Sequence, residues 1–223
     1  GWNERSNMDL IKHVSIEGFK SIKNLDRLEL GAINVMIGPN GSGKSNFISF
    51  FQLLNYAMTE SLQDYVKKRG FAESFLYLGS KTTSRIRGEL EFGTENGTNR
   101  YRFTLVAAAG DILIFSEESI FFQANGHPRL IENTLDPGGR ESALPKATIP
   151  PLNHAEMAAA RAISNQLSRK RVYQFHDTSM ESRLRKATVL DDNRNLRSDG
   201  GNLSAVLFRL QQDRSDYYRR IIL

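Results

Sequence analysis

The sequence predicts an α/β fold wound around a phosphate-binding loop, and three observations point to it. Residues Gly38-Pro39-Asn40-Gly41-Ser42-Gly43-Lys44-Ser45 fit the pattern G-x-x-x-x-G-K-[ST]. Before them, Ile33, Val35, Met36 and Ile37 make a short apolar run of the kind expected of a strand buried on both faces. After them, Phe47, Phe50, Phe51 and Leu54 recur at helical spacing through residues 46–56. Strand, glycine loop and helix come in the order the motif requires.

Each residue type in the loop has a physical reason. Gly41 and Gly43 allow backbone conformations closed to residues with a Cβ, so the main chain can approach phosphate oxygens. Successive N–H groups around residues 41–45 form an anion-binding hollow at a helix N-terminus. Lys44 supplies a point charge to the β- and γ-phosphates, and Ser45 offers a hydroxyl to magnesium. Lys44 is thus the candidate catalytic residue and Ser45 the candidate metal ligand, with ATP and Mg2+ as the expected cofactors.

With 223 residues, 39% of them hydrophobic, the chain can bury a real core. No run of 18 apolar residues occurs, and Gly1–Leu10 lacks the apolar stretch of a signal peptide, so neither membrane insertion nor secretion is expected. The absence of cysteine excludes disulfides, thiolate zinc sites and cysteine nucleophiles, and fits a cytoplasmic setting. The net charge of +5 is unevenly placed: residues 161–223 hold 13 Lys and Arg against 7 Asp and Glu. That surplus reads either as a face for nucleic acid or as a solvated helical surface.

Taken in order, residues 1–8 have no pattern and read as a disordered or appended extension. Residues 9–18 place Leu10, Val14 and Ile16 on one parity, which predicts a strand, and Leu25–Leu30 predicts a second after a turn at Gly18–Ile22. The run IEGFKSIKNLDRLELGAINVMIGPNGSGKSN resembles the opening of the RecF/SMC-like branch of the ABC ATPases. In that branch a strand, a basic F-K/R-S turn and a second strand precede N-G-S-G-K-S-N. The resemblance implies that Lys20, and less directly Lys23, reach the nucleotide, with Asn40 near the γ-phosphate. It also implies a cofactor-binding set of Lys20, Asn40, Gly41, Ser42, Gly43, Lys44, Ser45, Asn46 and Gln174.

The fold it implies is a P-loop NTPase of ABC-head type, with a mixed central sheet, an antiparallel β-subdomain and the start of a helical lobe. Residues 9–178 would form the core lobe, with the β-subdomain at about 82–123, and residues 179–223 the opening of the helical lobe. Ser61–Leu78 is expected to be partly helical, ending at the basic triplet Lys67-Lys68-Arg69 before Gly70. Arg85–Phe92 alternates apolar and charged residues, Asn96-Gly97 signals a hairpin, and Tyr101, Phe103 and Leu105 resume the alternation. Ile112–Phe115 and Ser119–Gln123 continue as further short strands of a meander. Five of the six prolines fall in residues 128–151, which predicts an irregular connection. The stretch Ala155–Leu167 predicts a helix, with Asn153 and Glu156 as a capping pair. Arg171–Asp177 reads as a strand; by the resemblance, Gln174, His176 or Asp177 would fill a magnesium-contacting glutamine loop. Residues 181–198 read as irregular, and Asn202–Ile221 as one amphipathic helix.

Three pieces of an ABC-type ATPase have no convincing match: the signature, a Walker B strand ending in Asp-Glu, and a histidine switch. Ile112–Glu117 and Thr188–Asp192 mimic Walker B, and Gly200–Ser204 holds the signature's letters out of order. The resemblance implies ATP hydrolysis by the complete protein at a site shared between two heads, hence a homodimer through the nucleotide. DNA and an effector protein are the further partners it suggests, with no role for a membrane. The expected activity is that of an ATPase, acting in DNA repair or in defence against foreign DNA. The alternative is a non-hydrolysing ATP-switch scaffold that recruits an effector such as a nuclease. A chain with a P-loop but no Walker B or signature is expected to bind nucleotide and turn over little.

Overall fold

The computed structural model describes residues 10–95, 97–126, 131–135, 137–146, 154–173 and 183–222. They fall into two compact units, one extending to Lys170 and the other from Arg171. The first unit is built on a six-stranded sheet formed by β1 (Leu10–Phe19), β2 (Ile22–Glu29), β3 (Arg85–Thr94), β4 (Gly97–Ala108), β5 (Ile112–Ala124) and β6 (Ile131–Thr134). Its strand order is β2-β1-β3-β4-β5-β6, and every pair is antiparallel.

One face of the sheet is apolar and carries the helices α1 (Lys44–Met58), α2 (Leu62–Lys68) and α3 (His154–Ser168). Helix α1 buries Phe50, Leu53, Leu54, Ala57 and Met58 on a single stripe. Phe50 stacks on Phe103 with centroids 6.0 Å apart and meets Phe19 edge-on at 5.6 Å. A fully buried side chain of this size contributes about 2–3 kcal/mol, so this aromatic trio anchors the phosphate-loop helix to the sheet. Helix α3 is tied to α1 through Asn55, whose Nδ2 donates to the carbonyls of Leu167 and Ser168 at 3.2 and 2.6 Å. On the other face Arg and Glu alternate: Arg100 and Arg102 meet Glu89, while Arg27 and Arg100 meet Glu91.

Two bulges set which side chains face the helices. On β1 the register shifts between Ile11 and His13, moving the buried set from Ile11 to Val14 and Ile16. On β5 it shifts opposite Thr104/Leu105, so Leu113 and Phe115 are buried before Ser116, and Glu118 and Ile120 after it. Ile112–Phe115 and Ser119–Gln123 are therefore one bulged strand, not two short ones.

Several expectations need correction. No parallel pair occurs among the described residues, so the sheet there is antiparallel and not mixed. Ile33–Ile37 forms no strand; Ile33, Val35 and Ile37 are almost fully exposed. Locally, Asn34 explains this, because its side chain accepts from the Gly31 N–H and donates to the Gly31 carbonyl, both at 2.9 Å, bending the chain where it leaves β2. The proline-rich connection is not irregular throughout: it contributes β6, and Phe115 N–H donates to Gly139 O at 2.9 Å. Asn96, Asn153 and residues 174–180 lie outside the described residues, and with them the hairpin tip, the capping pair and the end of the expected strand at 171–177. Arg171–Tyr173 has no regular structure.

The second unit holds α4 (Leu203–Asp213) and α5 (Ser215–Ile222), where the sequence suggested one helix. The break is at Arg214, with φ −145 and ψ 58, inside the run Asp213-Arg214-Ser215-Asp216, which is poor in strong helix formers.

Candidate phosphate-binding site

The site begins where α1 begins. Gly43 precedes the helix with φ 93, a conformation open to glycine at little cost, and its carbonyl accepts the first helical bond from Phe47 N–H at 2.9 Å. Gly41 has φ 85, and a Cβ there would meet nothing within 4 Å, so backbone conformation, not crowding, demands glycine. The amide of Ser42 is engaged by Pro39 O at 3.3 Å. Those of Gly41, Gly43, Lys44, Ser45 and Asn46 have no partner among the described residues. These orphan donors at a helix start, with no acid in the first turn, attract an anion.

Lys44 folds back over this loop. Its Nζ donates to Gly38 O and Pro39 O, each at 2.7 Å, and to Ser42 Oγ at 3.2 Å. The ammonium therefore sits on carbonyls that a phosphate would replace as its partner, on a side chain long enough to swing. Ser45 is exposed, its hydroxyl open to solvent. Among the described residues no group of three or more His, Cys, Asp or Glu could hold a metal unaided. The donor set fits a magnesium ion carried in by phosphates, since that ion keeps waters and phosphate oxygens as ligands and needs one protein hydroxyl.

The basic turn is docked against the same helix at two points. Asn46 Nδ2 donates to Ser21 Oγ at 2.7 Å, and Lys20 Nζ donates to Ser49 Oγ at 2.8 Å, one helical turn beyond Ser45. Lys20 has a left-handed backbone, φ 49, and its ammonium lies 5.0 Å from the Phe75 ring centroid and 5.7 Å from that of Phe19. Burial, aided by repulsion from Arg69, lowers its pKa below the usual lysine value. Lys20 and Asn46 are thus brought to the start of α1 with Gly41–Ser45, while the exposed Lys23 lines a separate open groove with Tyr77 and Arg85. Asn40 is in the exposed loop; Gln174, His176 and Asp177 are among the residues not described.

Ser21, Ser49 and Tyr65 were not singled out by sequence. Ser49 Oγ lies 3.4 Å from Tyr65 Oη, which donates to Gln52 Oε1 at 3.2 Å, so a polar chain runs from Lys20 along α1 to α2. Its only sequence signal was Ser49 interrupting the apolar stripe of α1.

The family described as "AAA domain, putative AbiEii toxin, Type IV TA system" matches residues 33–222. The chain belongs to this family of AAA domains. Its phosphate loop, helix α1 and antiparallel sheet are accordingly those of an α/β P-loop nucleoside-triphosphatase fold. Among curated proteins, the chain is similar to the chromosome partition protein Smc of Desulfitobacterium hafniense (strain Y51), with 54% identity over 37 residues. That match covers 16% of this chain and 3% of the relative. It is also similar to urease accessory protein 2 of Cryptococcus neoformans var. grubii, with 32% identity over 95 residues, or 41% of this chain and 7% of the relative. The chain thus spans only a small fraction of the curated relatives it matches.

Proposed function

We propose that this chain is the ATP-binding head of a RecF/SMC-like ATPase, whose nucleotide-bound heads pair and act on DNA in repair or in defence against foreign DNA. The observation that carries the nucleotide assignment is the run of unpartnered amides from Gly43 to Asn46 beside Lys44, with no carboxylate in the first turn of α1. Backbone donors would cradle the phosphates, Lys44 would leave its own carbonyls for the β- and γ-phosphate oxygens, and Ser45 would take a magnesium position. Magnesium, when bound, neutralises charge building on the phosphates. The local likeness to Smc and the basic turn at Lys20 support the RecF/SMC-like placement. The wording of the matching family, a putative toxin system, supports defence as the setting.

A second reading, the ATP-switch scaffold that recruits an effector such as a nuclease, is favoured by where the Walker B mimics fall. Glu117 lies on β5, its Oε2 accepting from Thr104 Oγ1 at 2.9 Å, and Asp191 and Asp192 lie in turns and not at a strand end. Neither is a carboxylate at the end of a strand.

Calorimetric titration of Mg·ATP into the chain and its Lys44→Ala variant tests the assignment. Loss of a charge-assisted contact of about 1.5–3 kcal/mol predicts about 10- to 100-fold weaker binding by the variant. Equal affinity of both proteins would remove the site. Phosphate release, followed in the same samples, tests the second reading, since sustained turnover by this chain contradicts the switch.

A further inference from the structure

The turn that ends α2 bears a cost that the folded chain does not explain. Phe71 has φ 64 and ψ −177, a conformation that only glycine enters freely. Yet its ring is 44% exposed, makes no ring contact and is not part of the hydrophobic core. The turn itself is held through main-chain groups: Phe71 N–H donates to Val66 O at 2.9 Å, and Phe71 O accepts from Ser74 Oγ at 2.9 Å. Glycine would make both bonds with less strain, so packing and turn geometry leave the aromatic side chain without a reason.

Beside it, Lys67, Lys68 and Arg69 are all exposed. The dipole of α2 favours cations in its last turn, but it does not require them to stay bare. Among the described residues Lys67 and Lys68 pair with no carboxylate, not even Asp64 in the first turn of the same helix. The Arg69 guanidinium lies 5.8 Å from the Tyr65 ring centroid and the Lys20 ammonium 5.0 Å from that of Phe75, while the two rings meet at 5.6 Å. Two like charges thus share one aromatic pair, and their repulsion adds to burial in lowering the Lys20 pKa. The acids nearby are taken up by backbone: Glu73 Oε2 accepts from Ser80 N–H at 3.0 Å, and Asp111 Oδ1 from Glu73 N–H at 3.1 Å.

We infer that residues 67–71 are a contact for single-stranded nucleic acid, with the phosphodiester backbone on Lys67, Lys68 and Arg69 and an unpaired base stacked on the Phe71 ring. Cations beside an exposed aromatic suit an unpaired strand, because every base offers a π-face and every link a negative charge. In a duplex the base faces are covered by their neighbours, so a ring on a surface turn would meet only sugar and phosphate. A lipid surface instead takes up a whole apolar helix face, and α2 buries its own, Leu62, Tyr65 and Val66, in the core. The left-handed turn then has a use: it holds the ring outward before a strand arrives, so little ordering is left to binding. The nucleic-acid setting rests on the reading above; the ATP site plays no part in it.

Fluorescence anisotropy of a labelled oligothymidylate of about 16 nucleotides, titrated with the chain in the absence of ATP, tests the inference. Affinity should fall about tenfold in Phe71→Leu, which keeps apolar bulk without a ring, and return in Phe71→Trp. Lys67→Ala with Lys68→Ala should make the plot of log affinity against log salt shallower by about 1.4. Phe71→Gly should melt no lower than the parent, since relief of strain offsets the lost side chain. A duplex of the same length should bind about tenfold more weakly, and equal or tighter duplex binding overturns the single-strand assignment. A lower melting temperature for Phe71→Gly assigns the ring to packing and overturns its role. Affinity unchanged in every one of these variants overturns the contact but leaves the DNA reading, with nucleic acid on another surface. No oligonucleotide binding, with binding to phosphatidylserine vesicles in its place, assigns the turn to a membrane and overturns the inference. Failure of Mg·ATP binding bears on the phosphate loop alone.

Discussion

Two buried or half-buried glutamates, one on β3 and one on β5, respond to pH in opposite directions. Burial pushes the Glu91 carboxyl up, but bonds from Arg27, His13 and Arg100 outweigh it and hold the pKa below the ordinary glutamate value. Its contribution to stability is therefore present above the unfolded pKa and lost as pH falls through the folded one. Glu118 is nearly inaccessible; burial raises its pKa, and hydrogen bonds from Tyr101 Oη at 2.6 Å, Ser142 Oγ and Ala143 N–H at 2.8 Å only partly offset the rise. Its contribution is present below the unfolded pKa and declines as pH rises through the folded value. Thermal melts of the parent, Glu91→Gln and Glu118→Gln across pH 3 to 8 should separate the two. Glu91→Gln should flatten the acid-side loss of stability, and Glu118→Gln should flatten the decline above the ordinary glutamate pKa. If both variants flatten the same limb, the opposed assignment of the two carboxylates is wrong.

Among elements, α1 is seated by close approach to the sheet. A Cβ added at Gly88 on β3 would collide with the Phe103 ring and lie 2.9 Å from Phe50 Cζ, in a packed core with no room to yield. Gly88→Ala should cost about 1–3 kcal/mol in chemical denaturation, and an unchanged midpoint would contradict the tight seating. Helix α2 depends on a distant residue: Ser61 makes no side-chain cap, and Glu141 instead accepts from Leu62 N–H at 2.9 Å and Gln63 N–H at 3.2 Å. Glu141→Ala should cost about 1 kcal/mol and speed hydrogen exchange in residues 62–68 before that of α1. This cap was invisible in sequence, because the donors and the carboxylate are 78 and 79 positions apart. The β5 bulge was equally hidden: one extra residue, Ser116, changes which parity is buried, and Glu118 reads as an outward strand residue until the register is known.

At the scale of the whole molecule, the basic surplus of residues 161–223 bears on DNA. If those residues serve a phosphate-backbone mode, affinity for duplex DNA should fall about tenfold or more between 50 and 200 mM salt. A titration indifferent to salt would assign the surplus to a solvated surface. Pairing already consumes part of it, since Arg183, Arg197 and Arg209 meet Asp199, Asp192 and Asp213.

The sequence alone determined the phosphate loop, its helix and the antiparallel alternation, because each is written in contiguous residues: glycines where φ must be positive, apolar spacing of the right period, and a lysine at the required offset. It also suggested a strand at residues 33–37, and local pattern could not settle that point. A strand exists only with a partner for its backbone, and no described segment provides one. Tertiary structure alone decided that Lys20 rests on Ser49 and that Glu118 and Glu141 hold distant backbone. Those contacts join residues far apart in the chain, and their distances depend on bulges and packing that no short window of sequence encodes.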